Sequence, residues 1–156
     1  MSPETVDPKT GKKVRSPYFS QEIVDWLLEQ QQRSEDTSER LGSTALTNQS
    51  ASISATPVPV PSLTAGLYRV SYYARITTAA TTSSSLTVTI AWTDGTIAMT
   101  QAGAALTGNT TATQQNGTFF IQDDANASIT YATTYASNGA GEMKYSLYVV
   151  VESVLV

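Results

Sequence analysis

The chain has 156 residues, a formal net charge of −4, no cysteine and no histidine. That length suits one core with an appendage, and the missing residue types remove disulfides, thiolate zinc sites, the commonest general base and the usual proton switch near neutral pH. An acidic balance without a basic face argues against a nucleic-acid partner, and no run of about eighteen apolar residues offers a membrane span.

Charge is unevenly spread, which divides the chain in two. Residues 1–42 carry fourteen of the twenty-two charged side chains, and the 114 residues after Gly42 carry eight. Residues 1–15, with Pro3, Pro8 and the basic group Lys12, Lys13 and Arg15, lack periodicity and read as an extended anchoring arm. The arm has no apolar segment of the signal-peptide kind, so a soluble protein made in the cytoplasm is expected.

Residues 16–42 predict an amphipathic helix. Ser16 or Ser20 offers an N-cap, Glu22 and Asp25 suit the first turns, and Gly42 is placed to end it. Phe19, Ile23, Trp26 and Leu27 crowd its first half, whereas the second half is Gln and charge, with Glu29/Arg33 and Asp36/Arg40 spaced for pairing. The apolar end either covers the chain's own β domain or docks on another subunit. The polar second half would let it stand away from the domain, so these four residues, with Lys12, Lys13 and Arg15, are candidate docking residues.

Residues 43–62 read as a linker and Pro-rich segment. Pro57, Pro59 and Pro61 make its end either an edge strand or a polyproline-like lead into the sheet, because proline cannot donate to a ladder. Residues 63–156 then alternate strongly. In "GLYRVSYYARITT" Tyr68, Val70, Tyr72, Ala74 and Ile76 share one face and Arg69, Ser71, Tyr73, Arg75 and Thr77 the other; in "SLTVTIAWTDG" Leu86, Val88, Ile90 and Trp92 oppose Thr87, Thr89 and Thr93. Asp94-Gly95 and Asn116-Gly117 are hairpin signals. About seven strands with regular turn signals make an antiparallel β-sandwich of jelly-roll or immunoglobulin-like kind.

The outward threonines form a flat, uncharged face where a solvated sheet would carry Lys and Glu. Such a face suits close contact with identical neighbours or with a hydroxyl-rich ligand. Tyr73 between Arg69 and Arg75 forms an exposed stripe of the composition found at interface hot spots.

The run from Gly66 to Gly95, with the later "ITYATTYAS" and "YSLYVVVE", resembles the small Thr-rich β domains of tailed-bacteriophage virion proteins: head decoration and fibre proteins, neck proteins and tail tips. The resemblance covers about residues 53 to 153 and lies in strand style rather than a catalytic motif. It implies a non-enzymatic structural protein located in the virion, anchored by its N terminus with the β domain outward. It also implies a homotrimer that contacts capsid, portal, neck or tail components. A carbohydrate-binding adhesin or receptor-binding fibre tip that takes a host surface glycan is the alternative.

The residues themselves offer little chemistry. Asp123-Asp124 between strands reads as a turn, Glu142 and Glu152 have no identifiable partner acid, and "SNGAGE" lacks the lysine of a phosphate loop. Trp92, Tyr131 and Tyr135 read as core residues at strand spacing rather than as sugar-stacking groups. No catalytic residue, cofactor or metal is expected.

Overall fold

The computed structural model describes residues 5, 6, 9, 13 and 14, and then 38–61, 63–123, 128–139 and 141–154. Two compact units divide the chain, Met1–Thr37 and Ser38–Val156. In the first, β1 (Thr5–Val6) pairs antiparallel with β2 (Lys13–Val14). Lys12, Arg15, Phe19, Ile23, Trp26 and Leu27 lie outside the described residues, as does the expected helix up to residue 37.

The second unit is built from nine strands in two antiparallel sheets, rather than about seven. They are β3 (Arg40–Gln49), β4 (Ile53–Pro57), β5 (Gly66–Thr78), β6 (Ser84–Asp94), β7 (Ile97–Ala102), β8 (Leu106–Thr107), β9 (Gln114–Asp123), β10 (Thr130–Ser137) and β11 (Lys144–Ser153). One sheet has the order β3-β11-β5-β9; the other runs β4-β10-β6-β7, with β8 also pairing β6. Successive strands change sheet at every connection except those among β6, β7 and β8. Taking β7 and β8 as one broken strand leaves eight strands in the jelly-roll order, which resolves the two alternatives against the immunoglobulin-like one.

Alternation decides what lies inside. Tyr68, Val70, Tyr72, Ala74 and Ile76 of β5 and Leu86, Val88 and Ile90 of β6 are buried, as the period of two requires, and Leu147, Val149 and Val151 of β11 join them. Each fully buried aliphatic side chain contributes about 1.5–3 kcal/mol relative to exposure. Trp92 and Tyr135 are half-buried and pack against this core, and Tyr131 lies within it.

Four sequence expectations need correction. The helix does not reach Gly42, because Arg40, Leu41 and Gly42 open β3, where Arg40 lies opposite Glu152 and Gly42 opposite Val151. Gly42 serves close packing there instead of ending a helix: a Cβ would run into the Pro59 carbonyl and stand 2.7 Å from Val60 Cγ1. Residues 43–62 are not a linker, since most of β3 and all of β4 fall within them. A neighbouring ladder satisfies backbone groups that a free linker would leave to water.

Asn116-Gly117 is not a hairpin. Both residues lie inside β9, opposite Tyr73 and Tyr72. Gly117 is there because the Tyr72 ring lies over it, with Cζ 2.9 Å from where a Cβ would stand. The fourth correction concerns Asp123, which is the buried last residue of β9, opposite Gly66, rather than part of an exposed turn; Asp124 lies outside the described residues. At Asp94-Gly95 the hairpin is present. Asp94 pairs with Ile97, and Gly95 takes the positive φ of 61° that the tight turn demands.

Two tyrosines fasten the sheets together. Tyr145 of β11 donates its hydroxyl to the Ala51 carbonyl at 2.8 Å and lies 2.7 Å from Thr133 Oγ1 of β10, which accepts the Ile53 N–H at 2.9 Å. With that donor direction fixed at Ala51, the Thr133 hydroxyl donates to Tyr145, and the chain of three hydrogen bonds is complete. Thr133 substitutes for a backbone partner where the register of β4 on β10 slips between Tyr131 and Thr133. At the other clamp, Tyr72 donates to Gln115 Oε1 at 3.2 Å, and Gln115 Nε2 donates to the Ala104 carbonyl at 2.9 Å.

Burial raises the Tyr145 hydroxyl above its ordinary pKa; the neighbouring Tyr135 and Tyr131 add to this, and the Thr133 hydrogen bond opposes it. Burial likewise raises Tyr72. A raised folded-state pKa means that the unfolded chain loses its proton first, so this stability is complete below about pH 10 and is lost as pH climbs from there through the folded values. Urea denaturation as a function of pH should therefore show alkaline weakening. Tyr145→Phe should lower stability by about 1–3 kcal/mol, because Thr133 and Ala51 each lose a buried partner, and should make the alkaline slope shallower. Gly117→Ala should cost about 1–3 kcal/mol through overpacking against Tyr72, whereas Asn116→Ala should leave the urea midpoint nearly unchanged.

Candidate interaction surface

The outer side of the four-stranded sheet is assembled from alternate residues of β5, β11 and β9. Register sets the rows. Tyr73 lies between Tyr148 and Asn116, Ser71 between Val150 and Thr118, Arg69 between Glu152 and Phe120, and Arg75 between Ser146 and Gln114. Tyr73 and Tyr148 form a tilted ring pair with centroids 6.3 Å apart and planes at 39°. These rings are 38% and 42% exposed, and Phe120 is 63% exposed. Such side chains bring large apolar area to a surface at small entropic cost, which is why aromatic clusters mark contact sites.

The cations of the stripe differ in state. Arg69 Nε donates to Glu152 Oε2 at 2.8 Å and Nη2 donates to Ser38 Oγ at 3.2 Å. The Glu152 hydrogen bond and its charge raise the Arg69 pKa further, and the partly exposed pair links β5 to β11 at the surface. Arg75 is exposed and makes no ion pair among the described residues. The stripe therefore presents one committed and one available guanidinium, and Ser71 Oγ lies 3.1 Å from Thr118 Oγ1 between them and the neighbouring strand.

Arg69, Tyr73 and Arg75 thus share one face. The docking residues assigned to the arm and helix lie outside the described residues, except Lys13, which opens β2 opposite Val6. Sequence reasoning missed Tyr148, Phe120 and Val150. Their signal was parity: in "TFFIQ" and "YSLYVVVE" consecutive apolar residues must face opposite sides, and Phe120 and Tyr148 fall outward. Which outward residues meet depends on register.

The other sheet has a different outer side. Thr87 lies opposite Thr134, Thr89 between Ala132 and Ala102, Ala91 between Thr130 and Thr100, and Thr93 opposite Ala98. This carpet is small and uncharged, and Thr87, Thr89 and Thr93 are half-buried by one another and by their neighbours. Along its edge, β7 exposes Ile97 and Met99.

The remaining polar groups do not converge. Asp94 and Glu142 are exposed in loops or strand ends, and no group of three or more His, Cys, Asp or Glu able to hold a metal occurs among the described residues. A pocket of about 250 Å³ is lined by Leu41, Leu63, Pro61 and Tyr68, with Glu39, Thr64 and Ser153 at polar positions. Its single carboxylate has no second acid in the lining.

No family model matches the chain, and no curated protein matches it. Among solved structures it is similar to the globular domain of zebrafish complement 1qA protein, at 12% identity and a TM-score of 0.41, over 74% of this chain and 97% of that one. It is also similar to Eiger TNF from S. frugiperda, at 8% identity and a TM-score of 0.32, over 76% of this chain and 91% of that one. The fold assignment rests on the strand order given above.

Because Tyr73 and Tyr148 point outward, replacing both with alanine should cost the isolated domain only about 0.5–1.5 kcal/mol, the worth of an aromatic pair. A urea midpoint that falls by far more would place the pair in the folding core.

Proposed function

We propose that this protein is a non-enzymatic structural component of a tailed-phage virion, of the capsid-decoration, head-fibre, neck or tail-associated kind. The N-terminal segment joins it to the particle and the jelly-roll domain faces outward. Copies associate, as a homotrimer, through the outer side of the four-stranded sheet. The observation that carries this reading is the exposed Tyr73–Tyr148 pair, with Phe120 exposed two rows away on the same sheet face. A soluble monomer normally guards such a face with Lys and Glu, and an aromatic patch rimmed by polar groups is a contact surface. The strand style of residues 53 to 153 supports the virion assignment.

A second reading is favoured by the same pair. Tyr73 and Tyr148, flanked by Arg75 and Asn116, combine ring faces with planar polar groups, the composition of a sugar-stacking platform. In that case the protein is an adhesin or fibre tip, and the tyrosines meet a host glycan.

Light scattering at about 50 µM, where an interface of micromolar Kd is occupied, separates the readings. Self-association that is present in the natural chain and lost in Tyr73→Ala/Tyr148→Ala supports the structural reading. A monomer under these conditions, with glycan-array binding lost in the same variant, supports the adhesin. Attachment is tested separately. A chain beginning at Ser38 keeps all nine strands of the jelly-roll and should retain their content by circular dichroism yet fail to join purified particles, and Trp26→Ala should weaken incorporation without unfolding the domain. Full occupancy by the truncated chain would move attachment to the β domain.

A further inference from the structure

The sequence contains two Asn-Gly pairs, Asn116-Gly117 and Asn138-Gly139, and the fold places them in opposite circumstances. The first lies within the β9 ladder, opposite Tyr73 and Tyr72, with the Tyr72 ring packed over Gly117. The second follows β10 in the loop to β11, where both residues are exposed. Gly139 has a φ of +101°, and its N–H makes no hydrogen bond among the described residues. Asn138 is held in place, since its N–H donates to the Ser83 carbonyl at 3.1 Å and its Nδ2 donates to Ser83 Oγ at 3.3 Å. An exposed Asn thus precedes an exposed glycine, which has the Thr81 and Thr82 side chains beside it.

We propose that Asn138 is a site of spontaneous deamidation through a succinimide, whereas Asn116 is protected by its strand. The Gly139 backbone nitrogen loses its proton to a solvent base and attacks Asn138 Cγ. The new C–N bond closes a five-membered ring, the Cγ–Nδ2 bond breaks, and the nitrogen leaves as ammonia after taking a proton from water. Water then opens the ring at either carbonyl, giving aspartate or isoaspartate. The net change consumes one water and releases one ammonia, with no oxidant or cofactor.

Ring closure requires the Asn side chain to fold back on the following nitrogen, and a paired strand forbids this until it opens locally. At Asn116 such opening would also have to lift the Tyr72 ring from Gly117. At Asn138, just past the last β10–β6 pair, only the two exposed-end hydrogen bonds to Ser83 stand in the way. The product adds a negative charge beside Ser83, and its isoaspartyl form adds a backbone methylene to the loop that leads into the buried Met143.

The full-length protein is incubated in mildly alkaline buffer at body temperature, with and without urea, and digested for peptide mass mapping. In the native chain the peptide containing Asn138 should gain one dalton, with aspartyl and isoaspartyl forms separating by chromatography, about tenfold or more faster than the peptide containing Asn116. In urea the two rates should converge. Isomerisation at Asp94-Gly95 leaves mass unchanged and does not interfere. The proposal is overturned if Asn116 converts as fast as Asn138 in the native chain, or if Asn138 stays unmodified there. Asn138→Gln, in which a larger ring must form, should abolish the signal at that peptide; a signal that persists there would place the reaction elsewhere.

Discussion

Tyr145 spans the interior from β11 to β10, and its hydroxyl closes a chain of three hydrogen bonds that begins at the Ile53 N–H and ends at the Ala51 carbonyl. Much of the architecture depends on that chain. It holds the corner between β3 and β4, the two strands that start opposite sheets, and it supplies a partner at the point where the register of β4 slips. A buried hydroxyl without partners would be costly, so the network confines Tyr145 to one geometry and fixes the sheets relative to each other at that end. Tyr135 adds to the same end: its ring lies 6.1 Å from that of Tyr145, and its hydroxyl donates to the Met143 carbonyl at 2.7 Å.

With the sheets held in this way, a period of two distributes the remaining side chains between one interior and two exteriors. The exteriors differ in kind. One carries the tyrosine pair, Phe120 and the arginines, and the other is a carpet of Thr and Ala. The second has none of the interspersed Lys and Glu that keep most sheet faces solvated, the first has Glu152 with Arg69 and Arg75, and β4, at one sheet edge, ends at Pro57 with Pro59 and Pro61 just beyond. A protomer with this distribution has surfaces suited to packing and no convergent polar constellation among the described residues.

The two Asn-Gly pairs show how context decides the meaning of a local signal. By dipeptide chemistry both favour turns or ring closure, and one is neither, because a tyrosine directly opposite on the neighbouring strand needs the space a glycine leaves. Similar reasoning applies at Gly42, which reads as a helix stop and instead admits the Pro59 backbone against β3. In each case packing against a distant segment overrides the nearest-neighbour reading.

The sequence by itself determined the β class of residues 63–156, the inward sets of β5 and β6, the Asp94-Gly95 hairpin and the outward Arg69, Tyr73 and Arg75 stripe. All of these follow from alternation or turn chemistry, which act over a few residues. Tertiary structure decided the rest. That Arg40–Gln49 is a strand, that Glu152 engages Arg69, and that Tyr148 stands beside Tyr73 all depend on β11 pairing with both β3 and β5. These pairings join residues from 66 (Lys144 and Thr78) to 112 (Glu152 and Arg40) positions apart, and a local pattern fixes which way a side chain points but not which distant strand lies beside it.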